Sequence, residues 1–229
     1  MDLRYFTTEM YEKMQVRGAL VFPANQEELE LVKQRYVEYG RDFEALTTKS
    51  FEIIKPLLLK YAPEPIIELI ERGELTGIHY PKPEVLTMVK QWRTELDEEW
   101  KEACRQYQDG YANYEHKLPV DRKIIHLLHD SKLLEININE DGNIELLLDS
   151  SSSMLNDNQL RLHFHGVSEY ELSEDMIGNW WLYEELFWNE EEGSCTVNAL
   201  LSSPLGYLTM NVLKIVAKDV SVQFSYDKR

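Results

Sequence analysis

RKIIHLLHDSKLLEININEDGNIELLLDSSSS, residues Arg122 to Ser153, is the stretch where helical patterning gives way to β patterning. From Lys132 to Asn139 apolar and polar residues alternate, with Leu134, Ile136 and Ile138 on one face and Glu135, Asn137 and Asn139 on the other. A period of two predicts a half-buried strand. Glu140-Asp141-Gly142-Asn143 then supplies residues that tolerate positive φ, and Ile144 to Leu148 is apolar again, so the two runs predict a hairpin. Ahead of it, Ile124, Ile125, Leu127 and Leu128 frame His126 and His129, and Asp130-Ser131 predicts a bend into the first strand.

Upstream the grammar is helical. Thr7 or Thr8 can cap a short helix ended by Arg17-Gly18. Asn25 followed by Glu28 has the form of a capping box, and Leu29, Val32, Tyr36, Tyr39, Phe43 and Leu46 recur at steps of three and four. That spacing predicts one long amphipathic helix. The pattern resumes at Phe51, Ile54, Leu57 and Leu58, where Pro56 is expected to kink or restart the helix. A short helix is expected from Pro65 to about Arg72, closed by Gly73. A second long helix opens at Pro83 or Glu84, carries Val85, Val89, Trp92, Leu96, Trp100, Ala103 and Tyr107, and is expected to end at Gly110. Aromatic stripes at this spacing belong to packed cores, so the helical half should have its own.

Downstream the signals are short strands and turns. Leu160 to Val167 alternates, with Leu162 and Phe164 inward and Arg161, His163 and His165 on the other side. Glu169 to Met176 predicts an acidic loop or edge, Trp180 to Trp188 a strand, Glu190 to Gly193 a turn, and Cys195 to Leu201 another strand. Leu208 to Val216 and Val220 to Tyr226 predict two more, separated around Lys218-Asp219. Short turns and no helices between them predict antiparallel pairing, because parallel pairing would need crossovers. The expected fold class is therefore α+β: a helical region over residues 1–115, with two long amphipathic helices plus short ones, packed on an antiparallel β-sheet or small β-sandwich over residues 120–229.

The formal charge is −17, from 24 basic and 41 acidic residues. Met1 to Val120 carries 16 basic and 22 acidic residues, and Asp121 to Arg229 carries 8 and 19, so the β half is the more acidic. Such a field repels phosphate backbones and anionic lipid and attracts a basic protein partner, so neither nucleic acid nor a membrane is expected as partner. The two cysteines, Cys104 and Cys195, have no metal-finger or C-x-x-C spacing and are read as reduced thiols. The opening MDLRYFTTEMYEKM lacks a cationic start before an apolar run, and no eighteen uncharged apolar residues follow one another, so a cytoplasmic location is expected.

Among groups able to do chemistry, the histidines lead. His126 and His129 are three apart and would share one side of a helical turn, while His163 and His165 are two apart on one strand face. If the segments meet, the four could hold zinc or another divalent metal, with Asp130 or Asp149 as a further ligand or orienter. The plainer alternative is a hydrogen-bonded His129-Asp130 turn and surface histidines. Asp97-Glu98-Glu99 and Glu190-Glu191-Glu192 could attract calcium or a basic partner, or simply face water. Glu184-Glu185 lies among aromatics, and one of them is expected to share a face with Trp181 and Tyr183, as a general acid would, or to guard a strand edge. No P-loop, G-x-G-x-x-G or G-x-S-x-G occurs, so common nucleotide cofactors and an elbow-type nucleophile are not expected.

RYFTTEMYEKMQ near the start, LLHDSKLLEI in the centre, WWLYEEL later and IVAKDVSVQF near the end, in this order and spacing, resemble an uncharacterised family of Firmicutes known as domain of unknown function 4085. The resemblance covers nearly the whole chain and implies a bacterial cytoplasmic protein with a helical first half and a β second half. It brings no activity or catalytic residue with it. The expected function is a non-catalytic binding protein whose acidic β region recognises a protein partner in an immunity-like or regulatory role. The alternatives are a metal-dependent, hydrolase-like enzyme and a structural or oligomeric scaffold.

Overall fold

The computed structural model describes residues 3–118, 120–156, 158–206 and 208–224. They divide into two compact units, one of residues 9–102 and one of residues 1–8 with 103–229.

The helical unit holds most of α1 (Thr8–Ala19), then α2 (Gln26–Glu38), α3 (Phe43–Tyr61), α4 (Glu64–Glu71) and the greater part of α5 (Pro83–Ala112). The single long helix expected from Leu29 to Leu46 is two helices. Gly40 takes φ 65° and Arg41 N–H returns to the Tyr36 carbonyl, which closes α2. The Asp42 carboxylate then accepts the Ala45 N–H and opens α3. Pro56 neither ends nor restarts α3, which runs through it to Tyr61. The cap at Asn25 holds, since its Oδ1 accepts Glu28 N–H at 2.8 Å, but the reciprocal bond of a capping box is displaced by one residue: Glu28 Oε2 accepts the N–H of Ala24 and not of Asn25. Phe51, Ile54, Leu57 and Leu58 of α3 are buried, as are Val85, Val89, Trp92 and Leu96 of α5. The α5 helix passes Gly110 by two residues, because a lone glycine without a left-handed backbone weakens a helix but does not cap it.

The second unit contains six antiparallel strands closed into a barrel. They are β1 (Lys132–Ile138), β2 (Ile144–Asp149), β3 (Gln159–Leu172), β4 (Trp180–Asn189), β5 (Ser194–Ser202) and β6 (Met210–Phe224), in the order β1-β2-β3-β6-β5-β4. The C-terminal turns of α5, a 3-10 turn at Glu115–Lys117, α6 (Val120–Lys123) and a 3-10 turn at Ile124–Leu127 precede β1. Closure rests on one pairing, Lys132 with Trp180, flanked by bonds from Trp181 N–H to Ser131 O and from Leu133 N–H to Asn179 O. Leu146, Leu148, Leu162, Phe164, Trp181 and Ile215 fill the interior with their neighbours, as in a small barrel whose lumen is a core and not a channel. Burying each large side chain stabilises the fold by roughly 1.5–3 kcal/mol.

Three strand expectations are corrected. The acidic segment from Glu169 continues β3 to Leu172, because β6 pairs with it beyond a bulge at Val167/Glu169. The two strands expected on either side of Lys218-Asp219 are the one strand β6, with Asp219 paired to His165 and Ala217 to Val167. Tyr226, the expected end of the last strand, lies outside the described residues. In β1 a bulge at Leu133/Glu135 changes the alternation, so Leu133 is fully buried while Leu134 is half-buried and Ile138 exposed.

Candidate functional site

The four histidines are not brought together as one ligand set. His126 and His129 attach to β4: Nδ1 of His126 lies 3.3 Å from Glu184 Oε1, and Nδ1 of His129 donates to the Leu182 carbonyl. His163 and His165 stand on the outside of β3, with His163 Nδ1 at 3.1 Å from Glu145 Oε2 and His165 Nε2 at 2.9 Å from Ser221 Oγ. Two strands separate β3 from β4 in either direction round the barrel, so the pairs occupy opposite sides. The sequence shows that each pair shares a face, but only closure of the sheet sets how far apart the faces are. Among the described residues no three His, Cys, Asp or Glu side chains form a group able to hold a metal. Asp130 takes φ 66° with its carboxylate 3.7 Å from His129, and Asp149 Oδ1 accepts the Ser151 N–H, so both shape turns.

Glu184 and Glu185 have opposite environments because β4 carries a bulge between Trp181 and Tyr183. The extra residue puts Glu184, and not Tyr183, on the side of Trp181. Trp181 Nε1–H donates to Glu184 Oε2 at 2.9 Å, and the other oxygen meets His126. His126 is held edge-to-face against Tyr111 at 4.9 Å and near Tyr107 at 6.0 Å, and its Nε2 is buried. This is an oriented imidazole whose Nε2 has no hydrogen-bond partner among the described residues.

Glu185 points to the other side, under the opening segment. Fully buried, it accepts backbone N–H bonds from Arg4, Tyr5 and Phe6. Phe6 packs on Tyr107 and Tyr183, at 5.3 and 5.8 Å between ring centres. The Tyr107 hydroxyl accepts the Leu186 N–H while the Tyr114 hydroxyl donates to the Leu186 carbonyl. Burial raises the Tyr107 phenol above its ordinary range and pushes Tyr114 up to about 12. Glu185 is thus a clamp on the N-terminal segment, a role invisible in sequence because its partners are main-chain groups some 180 residues away.

The cysteines offer no reactive thiolate. Burial raises both thiols, and for Cys195 the nearby Arg122 guanidinium only partly opposes it. Arg122, which the sequence did not single out, is buried over the Trp188 ring at 4.8 Å and donates to Lys218 O and Asp219 Oδ1. Of the acidic runs, Asp97 is held below its ordinary range by hydrogen bonds from Arg17, while Glu98 and Glu99 meet Lys101 and Lys13. In the β4–β5 turn Glu190 pairs with Lys117, and Glu191 and Glu192 turn their N–H groups to Asn189 Oδ1.

The barrel also has an open-sided cavity of about 560 Å³ that the sequence did not signal. It runs from Ile136 on β1 to Leu172, Ser173, Asp175, Met176 and Ile177 at the β3–β4 connection and Leu205 of the β5–β6 connection. Five of the seven side chains lining it are apolar, and Asp175 is the one ionisable group there among the described residues.

A family model described as a protein of unknown function (DUF4085) matches residues 5–211. No curated protein and no solved structure gives a significant match. No helix among the described residues is long and apolar enough to cross a membrane.

Proposed function

We propose that this chain, which belongs to the DUF4085 family of proteins of unknown function, is a non-catalytic binding protein whose acidic barrel recognises a basic protein partner in an immunity-like or regulatory role. The observation that carries this reading is the imbalance between occupied cations and free-standing acid surface. Lys117, Arg122, Lys123, Arg161 and Lys214 each lie against a carboxylate of the barrel unit itself. Glu135, Glu140, Asp141, Glu171, Glu174 and Asp175 are exposed. The unit as a whole carries 11 basic and 22 acidic residues. A surface of this kind speeds the approach of a basic partner and discourages acidic ones. A bacterial cytoplasm, the setting implied by the resemblance to the Firmicutes family, suits two unpaired thiols.

The test is binding of fluorescent basic peptides at low and high ionic strength. Association should weaken steeply with salt and fall further in a Glu171→Gln/Glu174→Gln/Asp175→Asn variant, because screening and neutralisation remove the same attraction. Absence of binding at low salt, or salt-insensitive binding unchanged in the variant, would reject the reading.

A further inference from the structure

We infer that the partner is taken up as an extended basic segment laid along the outer edge of β1, with an apolar side chain in the cavity beside that edge. This rests on the acidic-barrel reading and says where on the barrel recognition occurs.

The first observation is an incomplete seam. One edge of β1 is paired with β2 along its length, but the other meets β4 only at Lys132 and the β3–β4 connection at Leu133. Beyond Leu133, residues 134–138 have no ladder partner on that side among the described residues. The bond from Asn139 N–H to Asn143 O fixes the phase of the hairpin. Asn137 therefore bonds to β2, and Ile136 and Ile138 turn their N–H and C=O groups to the open side. An unpaired edge is a template for an added strand, and main-chain bonding of this kind accepts an extended segment of another protein.

The second observation is what lies along the edge. The cavity of about 560 Å³ starts at Ile136 and is walled by Leu172, Met176, Ile177 and Leu205. Ile177, Leu205 and Ile138 are 53%, 77% and 46% exposed, so apolar surface continues from the cavity to its lip. Among the described residues Ser173 and Asp175 are the cavity's only polar side chains, too few to orient a small polar ligand but compatible with an apolar side chain. The third observation is charge: Asp175 in the cavity, Glu174 in the same connection and Glu171 at the end of β3 are exposed carboxylates. An apolar slot with an acidic rim complements an apolar residue flanked by lysines or arginines, and a free strand edge complements an extended backbone.

The experiment uses the full chain and two labelled peptides, KKVKFKVKK and an all-lysine peptide of equal length, followed by fluorescence anisotropy at low salt. The mixed peptide should bind at least about tenfold more tightly, the gain from burying one large apolar side chain. In an Ile177→Ser/Leu205→Ser variant, both changes at exposed positions, that advantage should shrink below about twofold while all-lysine binding is retained. Amide exchange at Ile136 and Ile138 should slow in the complex with the mixed peptide. Salt-sensitive binding of both peptides with equal affinity, or a preference untouched by the variant and without protection of those amides, would overturn this placement and leave the acidic-barrel reading standing. Failure of both peptides to bind would overturn the reading itself.

Discussion

At the scale of single residues, the phenols of Tyr107 and Tyr114 show how burial becomes a dependence on pH. Both are raised, first of all by desolvation, and Tyr114 lies at about 12 in the folded chain against an ordinary value near 10. A raised folded value means that the folded state holds these protons more tightly than the unfolded state does. The corresponding stability is complete below about pH 10 and is lost as pH rises from there toward 12. Tyr107→Phe/Tyr114→Phe should be less stable than the native chain at neutral pH, since the hydrogen bonds to the two Leu186 backbone groups are removed. The variant should also show a shallower loss between about pH 10 and 12. Urea midpoints across that range measure it, and parallel curves for the two proteins would refute the assignment.

At the scale of elements, bulges and left-handed positions decide which side chains face inward. Gly166 in β3 has φ 62°, and a Cβ there would meet the Lys218 side chain at 3.3 Å. Gly142 in the β1–β2 turn has φ 75°, and a Cβ there would stand in open space. Gly142→Ala should cost roughly 1–2 kcal/mol for the left-handed backbone alone, and Gly166→Ala more, because Lys218 must also give way. Urea unfolding of the two variants tests the difference, and equal losses would mean that Lys218 moves aside freely. The same scale explains the misread alternations. A one-residue bulge at Leu133/Glu135 and another at Trp181/Tyr183 leave composition untouched but exchange the two faces of a strand. The hairpin itself was legible because Gly142 and its polar neighbours break the apolar pattern.

At the scale of the whole molecule, the barrel unit is discontinuous in sequence, taking residues 1–8 together with residues 103–229. Three main-chain N–H groups of the opening segment end on Glu185, and Leu3 and Phe6 are buried. Glu185→Gln keeps one acceptor and should cost about 1–3 kcal/mol through loss of charge-assisted bonds. Deleting residues 1–8 should cost more, because it removes two buried apolar side chains and leaves the carboxylate without those donors. Amide exchange in β4, followed at Leu186, reads both through the stability of the barrel unit. Unchanged exchange would show that the segment is not held there in solution.

The sequence by itself determined that a helical half is followed by a β half, the caps at Asn25 and Gly73, the antiparallel class of the sheet and the sign of its surface, all properties of neighbouring residues and local periodicity. It also placed His163 and His165 on one strand face and His126 beside a sheet entrance. Only the tertiary structure decided that the sheet closes through Lys132 and Trp180, that the histidine pairs fall on opposite sides, that Glu185 grips the opening segment and that a cavity adjoins the free edge of β1. These outcomes depend on strand order and register, which join residues far apart in the chain through main-chain bonds that any side chain permits. No local pattern encodes them.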